Sequence, residues 1–313
     1  MASASRTRIC RKKRCFTRNR RSHLPELRLS IPVILFQVFT IVVFINIVSC
    51  QLVINVKNKG GDLIQESLNG NPTDNTISLK FQRLDGTLLN MLIDFKSEVQ
   101  IFKMIVLGEE ERADESQYQT MCFIFKFIKS EFISADAMSK LRQKNPGTIR
   151  NPEEDKGEER LIMNLGVNFD LASRFSPWVF NVCSEAKGHI FTRDSDLKAW
   201  AAGNKANALY PKLALSAKGN NLTYNSLLEA THSFPLFTTS HCDQTKETTA
   251  ACVCRLPVCI GWYPCGLKYC RGRDSAGKTV SYRCGIKTCR KCRVFDYYVD
   301  QKLNCMWETV NQE

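Results

Sequence analysis

The chain has 313 residues, with 44 Lys/Arg against 31 Asp/Glu, a formal net charge of +13 and fifteen cysteines. Residues 1–50 alone hold ten Lys/Arg against one acid, Glu26, so most of the positive charge is a property of that segment. The remainder is only weakly basic, which argues against a nucleic-acid partner, since such binding needs a basic face on the folded domain.

The basic arm is followed by residues 31–48, eighteen positions without a charge, and then by the small residues Ser49 and Cys50. That is the pattern of a secretory signal peptide. Cleavage after Cys50 leaves an even number of cysteines, twelve. The apolar stretch exceeds the usual signal core of about 7–15 residues and approaches the roughly 20 that span a bilayer. A type II signal anchor is therefore the alternative, with the basic arm in the cytosol. Both place residues 51–313 in an oxidising space, secreted and extracellular, with membrane contact only if the leader stays uncleaved.

The length beyond the leader suggests two domains, expected at 51–202 and 241–313, with a linker at 203–240. In the first, residues 52–56 start a strand and a polar loop follows. Ile77, Leu79 and Phe81 then alternate with polar residues, the period of a half-buried strand. Asp85-Gly86 is a hairpin signal, after which Leu89, Met91, Ile93 and Phe95 return. A further apolar run covers 99–107, ending in an acidic loop at 109–115. Residues 121–128 place Phe123, Phe125 and Phe127 on one face and Cys122, Ile124 and Ile128 on the other, as in a strand covered on both sides.

Ser134 is a helix cap before Ala137, Met138 and Leu141, and Asn145-Pro146 stops that helix. The charged stretch 145–160, with Pro and Gly, reads as a surface loop. Leu161, Met163, Leu165, Val167 and Phe169 alternate as one strand. Ser176-Pro177 opens a second helix containing Trp178, Val182 and Cys183. The expected fold is α+β, mainly antiparallel sheet with two helices, followed by a small disulfide-rich domain. The linker carries the sequon Asn221-Leu222-Thr223, a glycosylation acceptor in a secreted chain.

Ten cysteines lie at Cys242, Cys252, Cys254, Cys259, Cys265, Cys270, Cys284, Cys289, Cys292 and Cys305. In a secreted domain too short for a large core they are expected to be disulfides. Zinc is the rival, with one CxxC and nearby His232 and His241, but the paired CxxC motifs of zinc ribbons are missing. No metal and no cofactor is expected. Connectivity does not follow from spacing, although a bridge between Cys252 and Cys254 would be strained. Cys122 and Cys183 either close a loop worth about 4 kcal/mol in the chain-entropy model or remain two buried thiols.

Several of these stretches resemble the out at first proteins: Asp85-Gly-Thr-Leu88, Ile93-Asp-Phe-Lys96, Ala137-Met-Ser-Lys-Leu-Arg-Gln-Lys-Asn-Pro146 and Asn181-Val-Cys-Ser-Glu-Ala186. Trp262-Tyr-Pro-Cys-Gly-Leu-Lys-Tyr-Cys270, Tyr282-Arg-Cys-Gly-Ile286 and Phe295-Asp-Tyr-Tyr-Val299 do so as well. The resemblance implies a secreted protein linked to development, with no established biochemical activity. The first region is also similar to BRICHOS domains, small α+β chaperone modules marked by an aspartate and a disulfide-bonded cysteine pair. Asp94 matches the aspartate, and Cys122 and Cys183 match the pair. BRICHOS proteins commonly keep a β-prone client segment in the same chain, and none is evident here. The resemblance also makes Cys259 and Cys292 surplus to the family's eight C-terminal cysteines, which suits a mutual bridge.

Two functions follow as expectations. A secreted binding or chaperone-like protein would use the phenylalanine face to hold an extended apolar peptide, with Asp94, a carboxylate among apolar neighbours, as a neutral donor. The plainer alternatives are a strand-end cap and ordinary core. An extracellular ligand or signalling modulator would instead use the C-terminal domain, where Trp262, Tyr263, Tyr269, Tyr297 and Tyr298 are either interface anchors or a miniature core. The partner is an extracellular protein or peptide in both. His189, His232 and His241 form no catalytic motif, and no nucleophile elbow or phosphate loop occurs, so no enzyme is expected.

Overall fold

The computed structural model describes residues 51–57, 61–107, 118–209, 223–236, 238–273, 275 and 277–306. The leader at 1–50, the acidic loop at 109–115 and Asn221 lie outside the described residues.

Six strands follow one another as an antiparallel meander: β1 (Gln51–Lys57), β2 (Leu63–Asn71), β3 (Thr76–Gln82), β4 (Leu88–Asp94), β5 (Val99–Leu107) and β6 (Tyr118–Lys126). The alternating Ile77, Leu79 and Phe81 all point into one core, as do Leu89, Met91 and Ile93. Asp85-Gly86 makes the β3–β4 turn, with Gly86 at φ 86° and the Asp85 carboxylate accepting from Thr87 N. Residues 63–71, expected as a polar loop, are instead strand β2. Its inward positions include Glu66 and Gly70, which breaks the apolar alternation that would have marked it.

The sheet continues beyond β6 through a parallel neighbour, β10 (Ile190–Thr192), then antiparallel β9 (Leu165–Val167) and β11 (Thr231–Ser233). A two-residue strand, β7 (Ile149–Arg150), pairs with β1 at the far edge. Among the described residues this gives ten strands in one sheet, far larger than the small module expected. The arrangement is nevertheless sheet-rich and mainly antiparallel, with few helices and a cysteine-rich C-terminal region.

Among the described residues four α-helices are short or peripheral: α1 (Ala135–Ser139), α2 (Pro177–Val182), α3 (Asp194–Leu209) and α4 (Tyr224–Leu228). Ser134 caps α1 by accepting from Ala137 N, and Ser176 caps α2 by accepting from Trp178 N, with Pro177 in its first turn. Residues 203–240, expected as a linker, hold the end of α3, all of α4 and strand β11.

The C-terminal cysteines lie on a long antiparallel hairpin, β12 (Cys252–Arg273) and β13 (Thr279–Val299), joined in parallel by β8 (Glu154–Met163). Residues 145–160, expected as a loop, thus supply most of β8 and β7. The first part of β8 is exposed and polar, and only Leu161 and Met163 reach the core, so local pattern gives it no strand signature. Pro257 and Pro264 lie on β12, the edge strand of this small sheet, where a missing N–H is tolerated.

The unbroken alternation from Leu161 to Phe169 is not one strand. At Asn164 the backbone N–H turns back to the Ile162 carbonyl. Leu161 and Met163 enter one core while Leu165 and Val167 enter the other. The result is three layers. One face of the large sheet packs on α2, α3 and α4 through Val99, Ile101, Cys122, Ile124 and Trp200. The other packs on the hairpin through Phe102, Met121, Phe123 and Phe125. Strands β5 and β6 are buried on both sides. The described residues belong to one compact unit, and residues of both 51–202 and 241–313 enter the core between the large sheet and the hairpin.

Candidate functional site

Asp94 ends β4 and is buried. Its Oδ1 accepts from the backbone N–H groups of Lys96 (2.9 Å) and Ser97 (3.3 Å), and its Oδ2 accepts from the Ser176 hydroxyl at 2.7 Å. Both oxygens are engaged, tying the carboxyl group to the turn after β4 and to the start of α2. Ser176 is also the cap of α2, and Cys183, at the other end of α2, bridges to Cys122 on β6 with Cα atoms 6.0 Å apart. The aspartate and the cysteine pair therefore fasten the two ends of one short helix to the sheet.

The phenylalanine face is covered. Phe123 stacks on Phe295 of β13 with centroids 4.4 Å apart and meets Tyr297 edge-on at 5.3 Å. Phe102 lies 5.5 Å from Phe295, and Phe127 packs on Phe95 at 5.0 Å. Phe132 stacks on Tyr263 of β12 at 4.4 Å. An open groove for an apolar peptide is thus replaced by core, because the chain's own hairpin fills it. Trp262, Tyr263 and Tyr297 belong to this packing, and Tyr298 stacks on Phe234. Tyr269 alone of the five expected anchors is exposed, at 65%.

Polar ties seat the same hairpin. Glu66, buried on β2, accepts from Gly261 N (2.7 Å) and Trp262 N (3.1 Å), where the register of β12 against β13 shifts. Gly261 permits this approach, since a Cβ there would stand 2.9 Å from Val56. Burial pushes the Glu66 carboxyl up to about 8 against the lowering by its two N–H donors. Arg293 is buried with Glu131 at 3.0 Å, and its guanidinium lies over the Phe125 ring at 5.3 Å. Lys291 pairs with Glu131 (2.7 Å) and Glu159 (2.8 Å). Burial raises the Glu159 carboxyl, but the Lys291 hydrogen bond and the positive charge around it leave it below its ordinary value. Buried Asp296 accepts from Arg160 and, at 3.0 Å, from Arg255. Neither Glu66 nor Arg293 is legible in the sequence, since a single charged residue carries no signal of its own burial.

All ten C-terminal cysteines are paired: Cys242–Cys252, Cys254–Cys305, Cys259–Cys292, Cys265–Cys289 and Cys270–Cys284. Cys252 and Cys254 take different partners, and Cys259 joins Cys292. The sulfurs of Cys242, Cys254 and Cys305 lie within 4.8 Å of one another, but as members of two disulfides they offer no thiolate to a metal ion.

Beyond Leu267 and Ile286, which still pack against the core, the hairpin leaves it. Cys270–Cys284 braces its two strands, and Tyr269, Arg271, Arg273, Val280, Tyr282 and Arg283 are exposed. This arm is the described surface on which large aromatics, cations and a rigid backbone coincide.

Residues 50–200 match the family described as "Out at first", and residues 241–309 match "Out at first, C-terminal". An "Out at first protein" of Drosophila virilis is 48% identical over 272 residues, covering 84% of this chain and 84% of the relative. Another, of Drosophila melanogaster, is 47% identical over 268 residues, covering 82% of this chain and 52% of the relative. No solved structure matches. Both sequence regions are matched, and nearly half the residues are identical across most of the length; the chain belongs to the Out at first family.

Proposed function

We propose that this chain is a secreted, non-enzymatic binding protein that works outside the cell, and that the exposed hairpin arm makes its contacts. One observation carries this: the expected peptide-holding face is filled by the chain's own hairpin, while the arm stands free, braced and aromatic. Six disulfides suit an oxidising compartment, and among the described residues no helix is long and apolar enough to cross a membrane. A developmental role accords with the name of the relatives. To test the reading, full-length Tyr269→Ser/Tyr282→Ser protein is applied to cells. Retained folding with binding weakened by roughly tenfold supports an aromatic-anchored arm; undiminished binding removes it.

A chaperone-like reading has its own support. The sheet holds an extended hairpin on its phenylalanine face, the relation a BRICHOS-like module has to a client within the same chain. In that reading the client is residues 252–299, held permanently. The full chain, mixed at equimolar ratio with an aggregating β-peptide, then leaves aggregation unchanged. A delay would show that the face opens to outside clients.

A further inference from the structure

The cations of the hairpin divide into two groups. Near the body, Lys268 pairs with Glu153 at 2.6 Å, Lys287 with Glu154, and Arg290 with Asp155 at 2.8 Å. The acids come from β8 and the residue before it, so this part of the arm is neutralised. Farther out, Arg271, Arg273 and Arg283 form no ion pair with any described residue. They also share a face. The register sets Tyr269 opposite Arg283, Arg271 opposite Ser281 and Arg273 opposite Thr279. Side chains alternate along a strand, so Tyr269, Arg271 and Arg273 project to the same side as Arg283, Ser281 and Thr279. Arg271 and Arg273 are about 7 Å apart along the strand. The other side carries the Cys270–Cys284 bridge with Tyr282 over Gly272, whose Cβ would meet that ring at 3.0 Å.

Three guanidinium groups on one braced face, with hydroxyls between them and no acid among the described residues paired to them, make a receptor for a repeating anion. Guanidinium forks match tetrahedral or planar oxyanions with two parallel hydrogen bonds. Because the backbone is braced covalently, little ordering remains to oppose binding. We propose that this face of the arm binds a sulfated glycosaminoglycan chain. The inference rests on the extracellular reading above: in that space the abundant linear polyanions are sulfated glycans, whereas anionic lipids face the cytoplasm and nucleic acids are absent.

The test measures binding of the full-length protein to immobilised heparin near physiological salt. Arg271→Ser/Arg273→Ser/Arg283→Ser weakens binding by roughly tenfold or more and flattens its salt dependence, as expected when ion contacts are lost. Lys268→Ser/Lys287→Ser, which removes only paired cations, changes it by about twofold at most. Hyaluronan, unsulfated, and phosphatidylserine vesicles bind far more weakly than heparin. Equal losses in the two variants, or equal binding of hyaluronan or vesicles, would overturn the proposal. Treating cells with enzymes that degrade heparan sulfate and chondroitin sulfate together separates this inference from the function on which it rests. Binding that depends on Tyr269 and Tyr282 but survives that treatment overturns the glycan and leaves the arm as the contact surface. Binding that depends on neither overturns both.

Discussion

The two halves of the hairpin are built from the same strands and the same kind of crosslink, yet they are held by different forces. Near the body, the inward residues of 252–263 and 289–299 are buried by Phe123, Phe102 and Phe132, and the strands are tied by Glu66, Glu131 and Glu159. In the distal half, residues 268–284 have almost no core, and Cys270–Cys284 supplies what packing does not. A two-stranded ribbon is marginal in water without such help. The difference teaches that the cysteines have two tasks: in the inner half they reinforce a core, and in the outer half they replace one.

The largest expected effect concerns Glu66. Its carboxyl is raised from 4.5 to about 8 in the folded protein, so the folded state holds a proton that the unfolded chain releases near pH 4.5. Between those values the unfolded state binds fewer protons, and stability falls as pH rises. The full span is worth roughly 4–5 kcal/mol. Urea unfolding at pH 5 and pH 8 should show wild type losing stability and Glu66→Gln losing much less. Equal losses would detach Glu66 from the seating of the hairpin.

Next is the apolar seat. Phe295→Ala removes the ring that stacks on Phe123 and should cost about 3–5 kcal/mol, as large-to-small changes at core aromatics do. A change below about 1 kcal/mol would mean that the hairpin does not rest on the sheet. Smallest in global terms is the outer bridge. Cys270→Ser/Cys284→Ser should move the unfolding free energy by less than about 1 kcal/mol, because local opening of the arm is separable from global unfolding. Amide exchange across residues 269–283 should nevertheless accelerate sharply. A large fall in global stability would show that the outer half is part of the cooperative core.

Much of the large sheet was legible from its side-chain periods. Ile77, Leu79 and Phe81 and their counterparts on β4 announce half-buried strands, and the two-sided apolar run at 121–128 announces a strand with layers on both faces. The caps Ser134 and Ser176 were equally plain, since capping is local chemistry. What escaped was non-local. β2 hides because Glu66 points inward to meet backbone N–H groups 195 and 196 residues away. β8 hides because its exposed part is a strand only by pairing with β13. The cover over the phenylalanine face is hidden for the same reason: Phe295 and Tyr297 are placed there by the pairing of β13 with β12 and β8. Asp94 was found by resemblance, but its role as a cap between β4 and α2 required the position of Ser176.

The claim on which the rest depends is that Phe123 and Phe295 touch, closing the sheet face with the chain's own hairpin. A double-mutant cycle of Phe123→Ala and Phe295→Ala, read by denaturant unfolding, measures that contact directly. Stacked rings at 4.4 Å predict a coupling of about 1 kcal/mol or more. Losses that add to within about 0.3 kcal/mol would contradict it and reopen the face to an outside ligand.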